Sequence, residues 1–463
     1  MQKNCNNRLM ELDETDFNEA PSMLLSFRGI NIRSFKDEFE VSLVATTLSE
    51  GNAVRTVPWR GGTTASSKIG VLPAAAFYGA NGSGKSNVLR AMEDMRNAVL
   101  NSFRSWPATG GTRRKPFLLG KSREAPTLFE IQLVLEGVLH TYGFEMDDEV
   151  ILREWAYRHP HGRAQIMFER DANGIRIGSK MRPTLGAVRD VVRSNSLFLS
   201  TAVALRNSEL LPLYNWFRRN LLLADIDSRE ARQLFTVHLL EDHHRETQIR
   251  GLLAAADLGI VGVEKMRLEP SVREKLEQVA AIFAGDDQAP AGGEVVFTIP
   301  DGTIGLVHRG EHEDVRFDMS EESLGTAVWL GLVGPIVDAL ENGSVLLVDE
   351  LDASLHPHLV RQIVELFQNH ESNPHRAQIV FNSHDATLLG NSPSERVLGR
   401  DQVWFVEKGS TGASRLTSLS DMNPRNAEAV EKRYLSGRYG GVPLVARGEF
   451  QDAIFPVKAE ARA

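Results

Sequence analysis

A glycine-rich stretch directly after an apolar run constrains the fold more than any other feature. Residues 71–78 are mostly apolar, and residues 79–86, GANGSGKS, match the pattern G-x-x-x-x-G-K-[ST]. That pattern requires a strand before it and a helix after it, and we expect the helix from Asn87 onward. Its glycines let backbone N–H groups face phosphate oxygens, and the helix start favours an anion. The stretch therefore predicts a nucleoside triphosphate site.

Two side chains of this P-loop have predicted roles. We expect Lys85 to reach the β- and γ-phosphates and Ser86 to ligate Mg²⁺. The alternative, a glycine-rich turn with an incidental lysine, is disfavoured by the flanking strand and helix. The residues predicted to contact ATP are Gly79, Asn81, Gly82, Ser83, Gly84, Lys85, Ser86 and Asn87.

Composition limits the class of protein. A net charge of −9 argues against coating nucleic acid by bulk charge, although a local basic groove stays open. The single cysteine, Cys5, excludes a disulfide framework and a cysteine-based zinc site. No apolar run approaches a membrane span, and no signal-peptide core is present, so we expect a cytoplasmic protein without membrane contact.

The order of patterns predicts one ATPase head with a large insertion. Between residues 127 and 177, alternating segments separated by Gly and Asp turns predict an antiparallel meander. The chain between Lys85 and the next acidic motif is longer than a compact P-loop core needs. The predicted ranges are an N-terminal mobile extension (1–22), the first ATPase half with the meander (23–184), a helical insertion (185–290), the second ATPase half (291–448) and a tail (449–463).

An acidic pair follows a second buried strand. Residues 345–348 are apolar and are followed by Asp349 and Glu350. The carboxyl end of such a strand is where α/β sheets bind ligands. We expect Asp349 in the Mg²⁺ shell, through water, and Glu350 as the general base that polarises the water attacking the γ-phosphate. Two carboxylates in a surface turn are the alternative.

Two further residues are candidates by position. His384 closes the next buried strand, where it can sense or orient a γ-phosphate, although an isolated histidine here is more often structural. Asp352, with Pro357 opening the next helix, fits a loop that passes along a dimer interface. Metal binding by His356 and His358 is disfavoured, because their spacing around a proline does not place both on one helix face.

A serine and a glycine mark the start of the helix before the acidic pair. Ser323 and Gly325 belong to the stretch ESLGT, and such a helix start is suited to an anion. An ordinary N-cap explains the serine equally well, and both roles are compatible.

The order of these motifs resembles an ABC-type ATPase head, and not a Ras-like or kinase fold. The chain is also similar to stand-alone bacterial ATPases that are named AAA but built on an ABC/SMC-like head. These are ATPase subunits of abortive-infection and other phage-defence operons, including RloA/AbiL-like proteins. The resemblance extends from about residue 24 to 445. Its matching stretches are 32–35, 77–87, 126–137, 256–260, 322–326, 348–357, 382–385, 400–408 and 433–443.

The resemblance implies an α/β fold: an ABC/SMC-like P-loop head with an antiparallel meander and an inserted helical lobe. It also implies that two heads meet head to tail around ATP and Mg²⁺. Lys85, Ser86, Asp349, Glu350 and His384 would act within one chain, Ser323 and Gly325 would contact the γ-phosphate of the partner, and Asp352 would lie at the interface.

The chain departs from the pattern of such heads in three places. The signature is ESLGT, where transporters have LSGGQ. Asn382 and Ser383 stand where threonine pairs are common. The glutamine that links the two lobes is not placed, and Gln132 is better explained as part of a meander strand.

The resemblance implies an ATP-hydrolysing sensor or regulatory subunit of an anti-phage system. Such a subunit forms a homo-oligomer, answers to a phage-encoded trigger protein and controls a separately encoded toxic effector, a nuclease of Toprim or HNH type. The alternative is a RecF- or Rad50-like repair or recombination ATPase that binds DNA directly. Residues 113–115 and 218–219 are the basic clusters that would serve it. A transporter subunit is disfavoured by the signature and the long insertion.

Overall fold

The structure is a computed structural model that describes most of the chain. The described residues are 22–49, 54–59, 68–160, 162–181, 185–225, 227–256, 258–267, 302–443 and 454. The predicted N-terminal extension and tail lie outside them, apart from residues 22 and 454. The sequence EVVFTIP at residues 294–300 also predicts a short strand, and this segment lies outside the described residues.

The strands and helices are numbered in chain order. The strands are β1 (Met23–Ile30), β2 (Phe39–Ser42), β3 (Arg55–Pro58), β4 (Lys68–Val71), β5 (Ala74–Tyr78), β6 (Thr127–Leu135), β7 (Val138–Met146), β8 (Ile151–His159), β9 (Gln165–Asp171), β10 (Gly174–Ile177), β11 (Leu221–Ala224), β12 (Ile260–Arg267), β13 (Gly302–His308), β14 (Val315–Asp318), β15 (Val345–Val348), β16 (Gln378–Asn382), β17 (Val403–Lys408) and β18 (Ser414–Ser418). The helices are α1 (Lys85–Asn101), α2 (Val188–Val191), α3 (Phe198–Ala204), α4 (Leu211–Arg219), α5 (Arg229–Leu239), α6 (His243–Ala255), α7 (Leu324–Asn342), α8 (Pro357–Gln368) and α9 (Val430–Leu435), with short 3₁₀ turns at Gly120–Glu124, Ala386–Leu389 and Ser420–Met422.

A six-stranded sheet in the order β11-β15-β16-β5-β17-β18 carries the P-loop. Its neighbours pair in parallel except β17 and β18, which are antiparallel. Every residue of β5 is buried, and its side chains alternate between two cores. Ala75 and Phe77 join one core, while Ala76 and Tyr78 join the other. A sheet covered on both faces explains why these strands are continuous apolar runs.

A seven-stranded antiparallel sheet in the order β10-β9-β8-β7-β6-β1-β2 forms the second layer. Strands β6 to β10 each pair with the next along the chain, so the predicted meander is confirmed. Helix α1 buries Val88, Leu89, Met92, Met95 and Val99 in the core that this sheet shares. The predicted α/β fold class, a P-loop head with an antiparallel meander and inserted helices, is therefore confirmed.

The described part of residues 185–285, which the sequence predicts to be mostly helical, contains strands as well as helices. Helices α2 to α6 lie there, but so do β11 and part of a small sheet, β12. Strand β11 belongs to the P-loop sheet and pairs with β15, with Leu221 opposite Val345. Four apolar residues are too few to show a two-residue period, and the pairing partner is remote in sequence. The helix expected from Asn87 also begins earlier, at Lys85.

Helix α7 is long and apolar enough to cross a membrane by length and composition alone. However, 61% of its most apolar window is buried inside the protein. Trp329, Leu330 and Val333 of this helix are among the buried core residues. Its composition is therefore explained by packing in the core.

Candidate functional site

The P-loop joins β5 to α1 and needs glycine at three positions for different reasons. Gly82 and Gly84 have φ angles of +72° and +112°, where other L-residues are strained. A Cβ atom on Gly79 would lie 2.4 Å from the Val406 carbonyl oxygen. The loop conformation is thus set by its sequence and by close packing against β17.

Substituting Gly84 by Ala should destabilise the protein more than substituting Gly82. A Cβ on Gly82 meets nothing within 4 Å, so Gly82→Ala adds only backbone strain, about 1–2 kcal/mol. A Cβ on Gly84 would lie 2.3 Å from Ser414 Oγ and 2.6 Å from Ser34 Oγ, which adds about 1–3 kcal/mol of overpacking. Thermal unfolding of the two variants measures the difference, and equal unfolding midpoints would contradict the close approach.

Lys85 is buried under the loop that it closes. Its Nζ donates hydrogen bonds to the carbonyl oxygens of Gly79 (2.9 Å) and Ala80 (3.2 Å). Burial lowers the pKa of Lys85, and the nearby carboxylates of Glu350, Asp352 and Asp349 oppose that shift. A phosphate group at the loop would oppose it further, so the site favours an anionic ligand.

The other P-loop residues divide into exposed and anchored ones. Asn81 and Gly82 are exposed, whereas Ser83 is buried. Asn87 Nδ2 donates to Ser34 Oγ (2.9 Å), so its amide is bound to the segment after β1. Ser414 Oγ lies 2.8 Å from Ser34 Oγ and 2.5 Å from the Ser83 carbonyl oxygen. Asn87 therefore supports the loop from outside, together with two serines that sequence reasoning did not single out.

Helix α9 and the segment after it also pack against the end of β5 and the loop. The Tyr434 ring makes an edge contact with Tyr78 (5.6 Å between centroids) and stacks on Phe405 (5.4 Å). A Cβ atom on Gly441 would lie 3.3 Å from the Cα atom of Gly79. The conformational freedom of the first P-loop glycine is thus limited by a segment more than 350 residues away in the sequence.

Asp349 and Glu350 follow β15 at the carboxyl edge of the same sheet. Asp349 is 8% exposed, and its Oδ2 lies 3.6 Å from Nη2 of Arg90 on α1. Glu350 has a φ of +57°, in the left-handed region that costs a non-glycine residue about 1–2 kcal/mol. Such strain persists where the surroundings hold it, and it is typical of functional sites.

Asn382, the last residue of β16, contacts several of the candidate site residues but was not among those predicted from the sequence. Its Nδ2 donates to Asp349 Oδ1 (2.5 Å) and lies 3.4 Å from Ser86 Oγ. Its Oδ1 accepts a hydrogen bond from the Glu350 backbone N–H (2.5 Å). The sequence marked Asn382 only as a departure from a threonine pair. The available signal was a polar residue ending a strand that is otherwise apolar.

Asp352 and His384 are joined within one chain. Both carboxylate oxygens of Asp352 accept from the His384 backbone N–H, at 3.2 and 3.1 Å. His384 itself is exposed, directly after buried Ser383. Asp352 therefore fixes the backbone that carries the histidine, in addition to any role at an interface.

Ser323 and Gly325 stand apart from the other candidates. Ser323 Oγ accepts from the Thr326 N–H (3.1 Å), so Ser323 is an N-cap of α7. A Cβ atom on Gly325 would lie 2.8 Å from the Ser354 carbonyl oxygen, in the loop after Asp352. Leu324 between them is 56% exposed. Among the described residues, no hydrogen bond joins Ser323 or Gly325 to the P-loop of the same chain.

The donor set at the sheet edge fits Mg²⁺. Ser86 supplies a hydroxyl and Asp349 a carboxylate, and the Asn382 amide contacts both. The described residues contain no group of three or more His, Cys, Asp or Glu side chains placed to hold a metal. Mg²⁺ in phosphate-transfer sites is held by one or two protein ligands and the substrate phosphates. Such a metal, bound together with a nucleotide, is the kind that these residues suit.

The sequence of the chain matches the profile of one protein family. The sequence profile described as "AAA domain, putative AbiEii toxin, Type IV TA system" matches residues 74–390, more than half of the chain. The chain belongs to this family. The matched range of this AAA-domain family begins at β5 and ends after His384, so it includes the P-loop, the acidic pair and Asn382. The protein is accordingly a P-loop ATPase of the AAA/ABC type.

Comparisons with individual proteins found only distant similarity. A search of curated proteins found no match. Among solved structures, the chain is similar to the SMC head domain from Thermotoga maritima, with 12% identity over 85% of this chain and 98% of that chain, and a TM-score of 0.38. The SmcHead bound to the C-winged helix domain of ScpA shows 13% identity over 86% and 99%, with a TM-score of 0.41. The Smc head domain with an extended coiled coil, bound to the C-terminal domain of ScpA derived from Pyrococcus furiosus, shows 12% identity over 87% and 98%, with a TM-score of 0.37.

Proposed function

We propose that the protein binds and hydrolyses ATP with Mg²⁺ and serves as the sensor or regulatory subunit of an anti-phage, abortive-infection system. The observation that carries the ATPase part is the convergence of Ser86, Asp349 and Glu350 on Asn382. The buried Lys85 lies close enough for the carboxylates of Asp349 and Glu350 to affect its pKa. The family's description, a putative AbiEii toxin of a type IV toxin–antitoxin system, supports the biological setting.

Each residue has one step in the proposed reaction. Backbone N–H groups of the P-loop and Lys85 bind the phosphates. Ser86 and Asp349 would hold Mg²⁺, which would supply positive charge against the phosphate groups. Glu350 accepts a proton from the attacking water as the oxygen forms its bond to the γ-phosphorus. The bond from that phosphorus to the β-γ bridging oxygen then breaks, and ADP and phosphate leave. His384 contacts the γ-phosphate from the opposite side.

A second copy of the chain completes the proposed site. Two heads meet head to tail, so that Ser323 and Gly325 of one contact the γ-phosphate bound by the other. The exposure of Ser323 and of neighbouring Leu324 supports this arrangement, since both are free to meet a partner. Asp352 lies in the loop next to Gly325 and would lie at the same interface.

The remaining partners follow from the proposed setting. A phage-encoded trigger protein would change the assembly, and a separately encoded nuclease, of Toprim or HNH type, would be the effector. A cytoplasmic location fits these roles and the burial of α7.

Direct DNA binding, the alternative role, is weakened at two of the three cations in the cluster 113–115. Arg114 is bound to Asp148 (2.7 Å), with a side chain only 1% exposed. Lys115 is paired with Asp94 (3.2 Å). Cations already engaged within the chain contribute little to phosphate binding, which depends on free Lys and Arg side chains.

A plating assay tests the proposed setting. Bacteria carrying this gene and its adjacent open reading frames should form fewer phage plaques than bacteria without them. Deleting either this gene or the effector gene should restore plaque numbers, because the proposed system needs both the ATPase and the effector. The purified protein should bind DNA weakly at physiological salt. Tight binding that falls steeply with added salt would instead support the RecF- or Rad50-like role.

A further inference from the structure

The side chain of Asn382 forms hydrogen bonds to three separate parts of the site, and no other side-chain hydrogen bond of Asn382 is found among the described residues. Its Nδ2 faces Asp349 Oδ1 (2.5 Å) and Ser86 Oγ (3.4 Å), and its Oδ1 accepts from the Glu350 N–H (2.5 Å). The residue has no exposed surface. One buried amide therefore joins both proposed Mg²⁺ ligands to the backbone of the proposed general base.

The chemistry of the contacts fixes the orientation of this amide. A carboxylate accepts hydrogen bonds only, and a backbone N–H only donates. Turning the amide over would place its oxygen against the Asp349 carboxylate and its NH₂ group against the Glu350 N–H, and both contacts would be lost. Asparagine supplies the required donor and acceptor on one short side chain.

We infer that Asn382 is a positioning residue for ATP hydrolysis. It sets the Asp349 carboxylate against Ser86 and holds Glu350 in its left-handed conformation, so that metal ligands and general base keep a fixed relation. The inference rests on the proposed function, because it assigns Asn382 a part in that reaction. Groups that orient metal ligands from outside typically contribute about 10- to 100-fold to metal affinity or activity.

The strand itself does not need this side chain. The Asn382 carbonyl already accepts from the Leu351 N–H (3.1 Å), and β16 is paired on both sides. Asn373 provides the contrast, since it is equally buried but bonds only to backbone atoms of Phe367 and Ala377. Asn373 is thus a matched control with the same chemistry and a purely local role.

Substitution of the two asparagines separates positioning from stability. In Asn382→Ala, kcat should fall about 10- to 100-fold and half-saturation should need about 10-fold more Mg²⁺, while KM for ATP stays near that of the wild type. Asn382→Thr supplies a hydroxyl that both donates and accepts a hydrogen bond, so its kcat should lie between those of the wild type and Asn382→Ala. This variant provides the test if Asn382→Ala does not fold. Asn373→Ala should lower the unfolding temperature and leave kcat and the Mg²⁺ requirement unchanged.

A second measurement does not depend on turnover. ATP in EDTA should raise the unfolding temperature of Asn382→Ala as much as that of the wild type, but the extra rise on adding Mg²⁺ should shrink in the variant. Wild-type protein that binds ATP without hydrolysing it would overturn the proposed function, and the Mg²⁺-dependent rise would still decide the role of Asn382. An unchanged Mg²⁺ response in both Asn382 variants, or an equal loss in Asn373→Ala, would overturn the inference.

Discussion

Lys85→Ala should abolish nucleotide binding and phage protection together. Lys85 is the buried cation of the P-loop, and a charge-assisted hydrogen bond to phosphate contributes about 1.5–3 kcal/mol, so its loss weakens ATP binding about 10- to 100-fold or more. Titration with a fluorescent ATP analogue measures the affinity. Plating efficiency of the same variant, with its neighbouring genes present, measures the biological effect.

The folded state should tolerate the loss of Lys85. Ala removes a cation whose charge burial disfavours, and this offsets part of the loss of the two hydrogen bonds that Nζ donates to the Gly79 and Ala80 carbonyls. Lys115→Ala is the control, because Lys115 is exposed and its loss leaves Asp94 hydrogen-bonded to Arg33. If ATP raised the unfolding temperature of Lys85→Ala as much as that of the wild type, the role given to Lys85 would be wrong.

Parts of the site made of residues close together in the sequence were predicted, and parts made of residues far apart were not. The P-loop is contiguous, so its strand, turn, lysine and helix were all predicted from one stretch, with a helix start only two residues from the expected one. The pair Asp349 and Glu350 was also predicted from adjacent residues, as an apolar strand followed by acid. In both cases the residues that form the motif are adjacent, so the sequence pattern alone determines the local structure.

The contacts that hold the site together depend on register between remote strands. Asn382 reaches Asp349 because β15 and β16 pair with Val348 opposite Phe381, which no local pattern specifies. Strand β11 escaped prediction for the same reason, since its four apolar residues gain meaning only beside β15. The bond from His384 to Asp352 likewise joins two loops that the sequence treats separately.

The predicted domain ranges and the roles of Ser323, Gly325 and Asp352 remain predictions. The structure is of one chain, in which Ser323 caps its own helix and Asp352 binds the His384 backbone. Both contacts are compatible with a second role across an interface, because neither uses the exposed surface around Leu324. A test of that role therefore needs a trapped assembly of two chains.

Glu350→Gln should trap ATP and lock two chains together. Glutamine has nearly the shape of glutamate but does not accept the proton from water, and loss of a general base lowers kcat by about 10²- to 10⁴-fold. The P-loop contacts are unchanged, and the backbone N–H of residue 350 still donates to Asn382 Oδ1, so ATP affinity should stay near that of the wild type. Single-turnover hydrolysis and sedimentation with ATP measure the two effects.

Two further variants show whether the trapped species is the proposed head-to-tail dimer. Adding Ser323→Arg to Glu350→Gln places a bulky cation at the exposed helix start that should face the partner's γ-phosphate, so ATP should still bind but the dimer should be lost. Glu365→Gln, which alters an exposed glutamate paired with Arg361, should leave turnover and assembly unchanged. Hydrolysis by Glu350→Gln at the wild-type rate would refute the general-base assignment. If the Ser323→Arg variant still forms the dimer, the start of α7 is not part of the interface. The second chain would then bind at another surface.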